Sequence, residues 1–131
     1  MSETTGERTP QILAYGPPPA DSANLDSDVS VRYFSSSREL VESLTAQVPQ
    51  LLICLHAPPR FDGIAAVKAI RRFDAAVPVV LATQLQSTMV NLQAVQTKVT
   101  WSVEVPTGRP IEDGLFDVVT DASEWLENTV R

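Results

Sequence analysis

The segment PQLLICLHAPPRFDG, Pro49 to Gly63, decides how the rest of the chain is read. From Leu51 to Leu55 it is apolar at every position rather than at alternate ones. A strand that is apolar on both faces belongs in the middle of a parallel sheet covered by helices on both sides. The prolines that follow end the strand, and Asp62-Gly63 opens a helix. Asp62 is the expected N-cap, and Ile64, Val67 and Ile70 form its buried stripe. The strand ends Cys54-Leu55-His56, with no carboxylate before Asp62.

Working outward, QILAYG (11–16) is a short apolar strand stopped by Gly16 and three prolines. ADSANLDSD (20–28) holds one large apolar side chain, Leu25, and supports one or two helical turns at most. VSVRYF (29–34) is a second strand. In SSRELVESLTAQV, Leu40, Val41, Leu44 and Val48 fall at helical spacing, with Ser36 or Ser37 as N-cap and Pro49 closing the helix. VPVVLAT (77–83) and WSVEV (101–105) are the fourth and fifth strands. STMVNLQAVQT between them is a weaker helix through Met89, Leu92 and Val95. The closing helix IEDGLFDVVTDASEWLENTV rests on Leu115, Val118, Val119, Ala122, Trp125 and Leu126. Strands alternating with helices mean βαβ units with right-handed crossovers. The expected fold is α/β, a doubly wound five-stranded parallel sheet of flavodoxin-like order in a three-layer sandwich, with a shortened first helix.

A chain of 131 residues suits one domain, expected over 10–131, with 1–9 a polar disordered tail. A net charge of −6 argues against a nucleic-acid partner, since phosphate neutralisation needs a basic face. The single cysteine excludes an internal disulfide and fits a reducing compartment. No apolar run approaches the roughly 18 residues of a membrane span. The polar, acid-bearing N-terminus does not read as a signal peptide. The expected location is the cytoplasm, without membrane contact.

Ordered this way, residues 10–130 resemble the response-regulator receiver (CheY-like) family. The resemblance rests on Pro49, the apolar strand, Pro59 and Asp62-Gly63 at the spacing of the family's third-strand signature, and on VPVVLAT ending in Thr83. In that family an aspartate after strand three accepts a phosphoryl group, two acids after strand one help hold Mg²⁺, and a lysine after strand five neutralises the acyl phosphate. The metal and ammonium offset the charge of an anionic transferred group. Carried over by spacing, the acceptor position is Leu55, the acidic pair falls on Gly16 and Pro17, and the lysine falls near Glu104 or Val105. Arg109-Pro110 is an alternative source of the basic-residue-then-proline element. Thr83 alone matches clearly. The set reads as a degenerate phosphorylation site, with no catalytic residue, metal or cofactor expected.

The remaining candidates have plainer readings. His56 is the one histidine, and with a lone Cys54, assigned to the opposite face, it falls short of a metal ligand set. On that reading His56 is dispensable for folding. Cys54 is a small core residue. Lys68, Arg71 and Arg72 read as the solvated face of a helix, with an acidic partner as the alternative. Trp101 is either a mobile switch aromatic, as in the family, or a core or edge tryptophan. No charge lies between Gln84 and Thr97. The resemblance implies that the helix before strand five, strand five and the closing helix dock protein partners and mediate a homodimer. Met89, Val90, Leu92, Trp101 and Arg109 are the candidates. The expected function is a receiver-like signalling protein of the two-component type that is not phosphorylated and not an enzyme. The alternative is a flavodoxin-like small-ligand or nucleotide-binding domain. Against it, the first loop, GPPPADS, has prolines where a phosphate would need N–H donors.

Overall fold

A computed structural model describes residues 11–17, 30–46, 48–84, 88–105, 108 and 110–130. The strands are β1 (Gln11–Tyr15), β2 (Ser30–Phe34), β3 (Leu51–His56), β4 (Val79–Thr83) and β5 (Trp101–Glu104). The helices are α1 (Ser37–Ala46), α2 (Gly63–Phe73), α3 (Thr88–Gln96) and α4 (Ile111–Val130). The sheet is wholly parallel in the order β2-β1-β3-β4-β5, so the strand order reverses between β1 and β3. This is the doubly wound, flavodoxin-like sandwich expected. The expected tail and the shortened helix over 20–28 lie outside the described residues.

β3 and β4 are buried along their whole length, which explains their unbroken apolar sequences. Register and alternation divide their side chains between two layers. Leu51, Ile53 and Leu55 share one sheet face with Val80, Ala82, Trp101 and Val103. Leu52, Cys54 and His56 share the other with Val79, Leu81 and Thr83. Cys54 and His56 therefore lie on the same face, correcting the opposite assignment.

α1 starts where Ser36 Oγ accepts from the Glu39 N–H at 3.4 Å, and buries Leu40 and Leu44. It ends at Ala46, so Val48 is exposed instead of extending the stripe. α2 starts on Asp62, whose carboxylate accepts from the Ala65 N–H at 3.0 Å, and buries Ile64, Val67 and Ile70. α3 ends with Lys98 in the left-handed region at φ 63°. There the Val99 N–H reaches Ala94 O and the Lys98 N–H reaches Val95 O, which closes the last turn. On α4, Leu115, Val119 and Leu126 are buried, but Trp125 is partly exposed and packs on Trp101, outside the core stripe it was assigned to.

Candidate functional site

The carboxyl ends of β1 and β3 meet at the reversal of strand order, where sheets of this kind place their sites. Gly16 follows β1, and its N–H continues the sheet by donating to Phe34 O at 2.9 Å. A Cβ on Gly16 would stand 2.5 Å from Leu115 Cδ2 and 3.3 Å from Leu55 Cβ and Cδ2. Leu55 and Leu115 are completely buried. Three chain-distant residues, from β1's end, β3 and α4, thus close the crevice with hydrocarbon.

These positions do not fit a divalent cation. Mg²⁺ takes oxygen ligands in near-octahedral geometry. Gly16, Pro17 and Leu55 offer no side-chain oxygen, and Leu115 occupies the volume a carboxylate at 16 would need. Among the described residues, no group of three or more His, Cys, Asp or Glu side chains is placed to hold a metal.

Across the edge, His56, Thr83 and Glu104 stand in register on β3, β4 and β5. Thr83 is buried, and its carbonyl accepts from the Val105 N–H at 2.9 Å. Of the two residues at the lysine position, Val105 is buried and Glu104 is exposed. Arg109, the alternative, lies outside the described residues.

His56 is 7% exposed, and its Nδ1 accepts from the Gly63 N–H at 3.1 Å. The ring is therefore neutral, with its proton on Nε2. Burial lowers its pKa from the ordinary 6.5, and the Asp62 carboxylate, 3.7 Å away, opposes that shift. The loop between them closes on itself, with Ala57 N–H to Phe61 O at 2.8 Å and Phe61 N–H to Ala57 O at 3.2 Å. A Cβ on Gly63 would stand 2.7 Å from Leu55 O, so only glycine lets α2 begin this close to β3. His56 is thus a structural tie between strand and helix, an arrangement that argues against its expected dispensability. Burial pushes the Cys54 thiol up to about 12, which makes it an inert core group.

Arg71 also departs from its expected role. Its Nε and Nη2 donate to Lys98 O at 3.2 and 2.8 Å, and Nη1 donates to Val77 O at 2.7 Å and Asp74 O at 3.3 Å. It ties the end of α2 to the end of α3, while Lys68 and Arg72 remain on the solvated face.

A different surface surrounds β5. Of seven large exposed hydrophobic residues among those described, Met89, Leu92 and Val95 are on α3, Trp101 is on β5 and Trp125 is on α4. The Val90 side chain lies outside the described set. Trp101 and Trp125 meet edge-to-face, with ring centroids 5.0 Å apart and planes at 73°. Beside them is a groove of about 310 Å³ walled by Val103, Val118 and Ala122. Its charged lining residues are both acids, Glu104 and Asp121.

Sequence reasoning missed Leu115 as the closing residue, the clasp of Arg71 and the acidity of α4. The last was countable: α4 carries Glu112, Asp113, Asp117, Asp121, Glu124 and Glu127, with no lysine or arginine.

The class defined by strand order and helix placement is the receiver-domain fold. Solved structures sharing it include the phosphorylated cyanobacterial phytochrome response regulator RcpA, with TM-score 0.68 and 16% identity over 92% of this chain and 96% of that one. A LuxR-family two-component response regulator from Aurantimonas sp. gives TM-score 0.62 at 15% identity, over 88% of this chain and 86% of that one. The Vibrio cholerae chemotaxis protein CheY4 gives 0.61 at 15% identity, over 86% and 98%. No protein-family model matches the sequence, and no curated protein matches it significantly. Among the described residues, no helix is long and apolar enough to cross a membrane.

Proposed function

We propose that this protein is a receiver-like signalling component of the two-component type that works without phosphorylation, as a protein–protein interaction module in the cytoplasm. The packing of Leu115 and Leu55 over Gly16 carries this reading. A phosphoryl site needs an acceptor carboxylate, a metal and room for an anion, and hydrocarbon fills that volume. An acid, Glu104, stands at the end of β5, where an anionic group would need a cation.

The partner surface in this reading is α3, β5 and α4. Exposed apolar side chains on these three elements are suited to protein contact. A homodimer through this face belongs to the same reading. The switch-point crevice that a flavin or nucleotide would use is the one closed by Leu115, which favours interaction over small-ligand binding.

Incubation with acetyl phosphate, or with beryllofluoride and Mg²⁺, tests the first half. Unchanged mass and unchanged tryptophan emission are expected, and a stable acyl-phosphate adduct would sink the reading. Capture of native partners by the whole chain, compared with Leu92→Glu, tests the second half.

A further inference from the structure

We propose that the groove between β5 and α4 receives a basic, amphipathic segment of a partner protein. An apolar side chain of that segment enters beside Trp101 and Trp125, and flanking arginines or lysines face α4. This rests on the reading of α3, β5 and α4 as the docking face, and it assigns the partner's chemistry.

Charge complementarity is the observation that selects the occupant. The groove's floor and walls are apolar, from Val103, Val118, Ala122 and the two tryptophans, and the exposed Asp121 of α4 is an acid in its lining. By sequence α4 carries acids and no base, so the helix that supplies Asp121 is net negative. A segment with apolar residues on one side and cations on the other matches both features. Exposed indole faces also accept guanidinium groups. A second copy of this chain matches less well. A two-fold contact centred on the groove itself would set the acids of α4 against themselves, and like charges across an interface oppose association.

Trp101 and Trp125 are the chain's two tryptophans, so intrinsic emission reports on this groove alone. The test uses the full chain and fluorescein-labelled peptides of about twelve residues, long enough for roughly three helical turns. One peptide alternates pairs of Leu and Arg. A second carries Glu in place of every Arg, and a third carries Ser in place of every Leu. The Leu/Arg peptide is expected to bind, to change tryptophan emission and to weaken as salt rises. The other two are expected to bind about tenfold more weakly or worse.

Trp125→Ala and Asp121→Lys are each expected to weaken the Leu/Arg peptide about tenfold with circular dichroism unchanged. Should Trp125→Ala alter the fold, the exposed Asp121→Lys decides. Glu42→Lys, an equal charge change on α1, should leave binding within about twofold. Equal binding of the Glu or Ser peptide overturns the proposal, as does undiminished binding by Asp121→Lys or an equal loss in Glu42→Lys. Self-association abolished by Trp125→Ala also overturns it, because the occupant is then a second copy. Binding of tetramethylammonium without any peptide overturns it in favour of a small organic cation. If the Leu/Arg peptide fails while Leu92→Glu still loses its native partner, the docking face stands and only the basic-segment assignment falls.

Discussion

Gly16 and Leu115 approach so closely that a Cβ at 16 would stand 2.5 Å from Leu115 Cδ2, so the leucine side chain would have to shift to admit one. The contact joins the end of β1 to the first turns of α4 over the buried Leu55. It also makes the site resistant to repair. Leu55→Asp places a carboxyl group in a fully buried volume packed by hydrocarbon, so desolvation makes it enter protonated. The expected cost is about 3–5 kcal/mol, from lost apolar packing and the buried polar group. Denaturant titration checks this. The double variant with Gly16→Asp is expected to be less stable still, and neither should gain mass with acetyl phosphate and Mg²⁺. A neutral or stabilising Leu55→Asp would contradict the packing.

His56 sets a stability trend with pH. Its folded-state pKa lies below the ordinary 6.5 because burial disfavours the imidazolium, with Asp62 opposing. The unfolded chain thus binds the proton more readily. This contribution is fully present above about pH 6.5 and is lost as pH falls towards the lower folded-state value. Unfolding titrations between pH 5 and 8 should show it. His56→Asn, whose Oδ1 can accept from the Gly63 N–H, should remove this part of the slope. His56→Ala leaves that donor unpaired beside a cavity and should cost about 2–3 kcal/mol at pH 7.

Arg71 and Arg72 are neighbours in sequence with opposite expectations. Arg71→Ala frees the carbonyls of Lys98 and Val77 from a charged donor and should cost about 2 kcal/mol. Lys lacks the forked geometry, so Arg71→Lys should not restore stability. Arg72→Ala on the exposed side should stay within about 0.5 kcal/mol of the parent. Equal losses at both positions, measured by chemical denaturation, would refute the clasp.

Lys98 holds φ 63° with a side chain, where glycine is the usual helix-ending residue. Lys98→Gly keeps the carbonyl that Arg71 uses and relieves the left-handed strain. It should stabilise the protein by about 0.5–1 kcal/mol, read as a rise in melting temperature.

Leu92 is 52% exposed, so Leu92→Glu should leave folding intact while abolishing partner capture. The informative control is Lys68→Glu with Arg72→Glu on the solvated face of α2. Arg71 is unsuitable there because its removal loosens the fold. Loss of capture in the control pair alone would move the docking face to α2.

Local sequence was sufficient wherever local rules act. The unbroken hydrophobicity of Leu51–Leu55 and Val79–Thr83 placed two central parallel strands, and Asp62-Gly63 identified the start of α2. Strand burial and helix capping depend on residues a few positions apart, so they can be read along the chain. Val48 shows the limit, because helical spacing does not reveal where a helix stops. His56 looked dispensable and Arg71 solvent-facing because the groups they bind, the Gly63 N–H and the carbonyls of Lys98 and Val77, are backbone atoms with no residue-specific signal. Gly16, Leu55 and Leu115 are separated by tens of residues. Each is an ordinary apolar or small position in its own element, and only the βαβ crossovers stack them into one plug. Trp101 and Trp125 were likewise placed on separate elements. Parallel pairing of β5 beside β4 and the seating of α4 across it made them one aromatic wall next to acids, because tertiary packing alone decides which faces of distant elements meet.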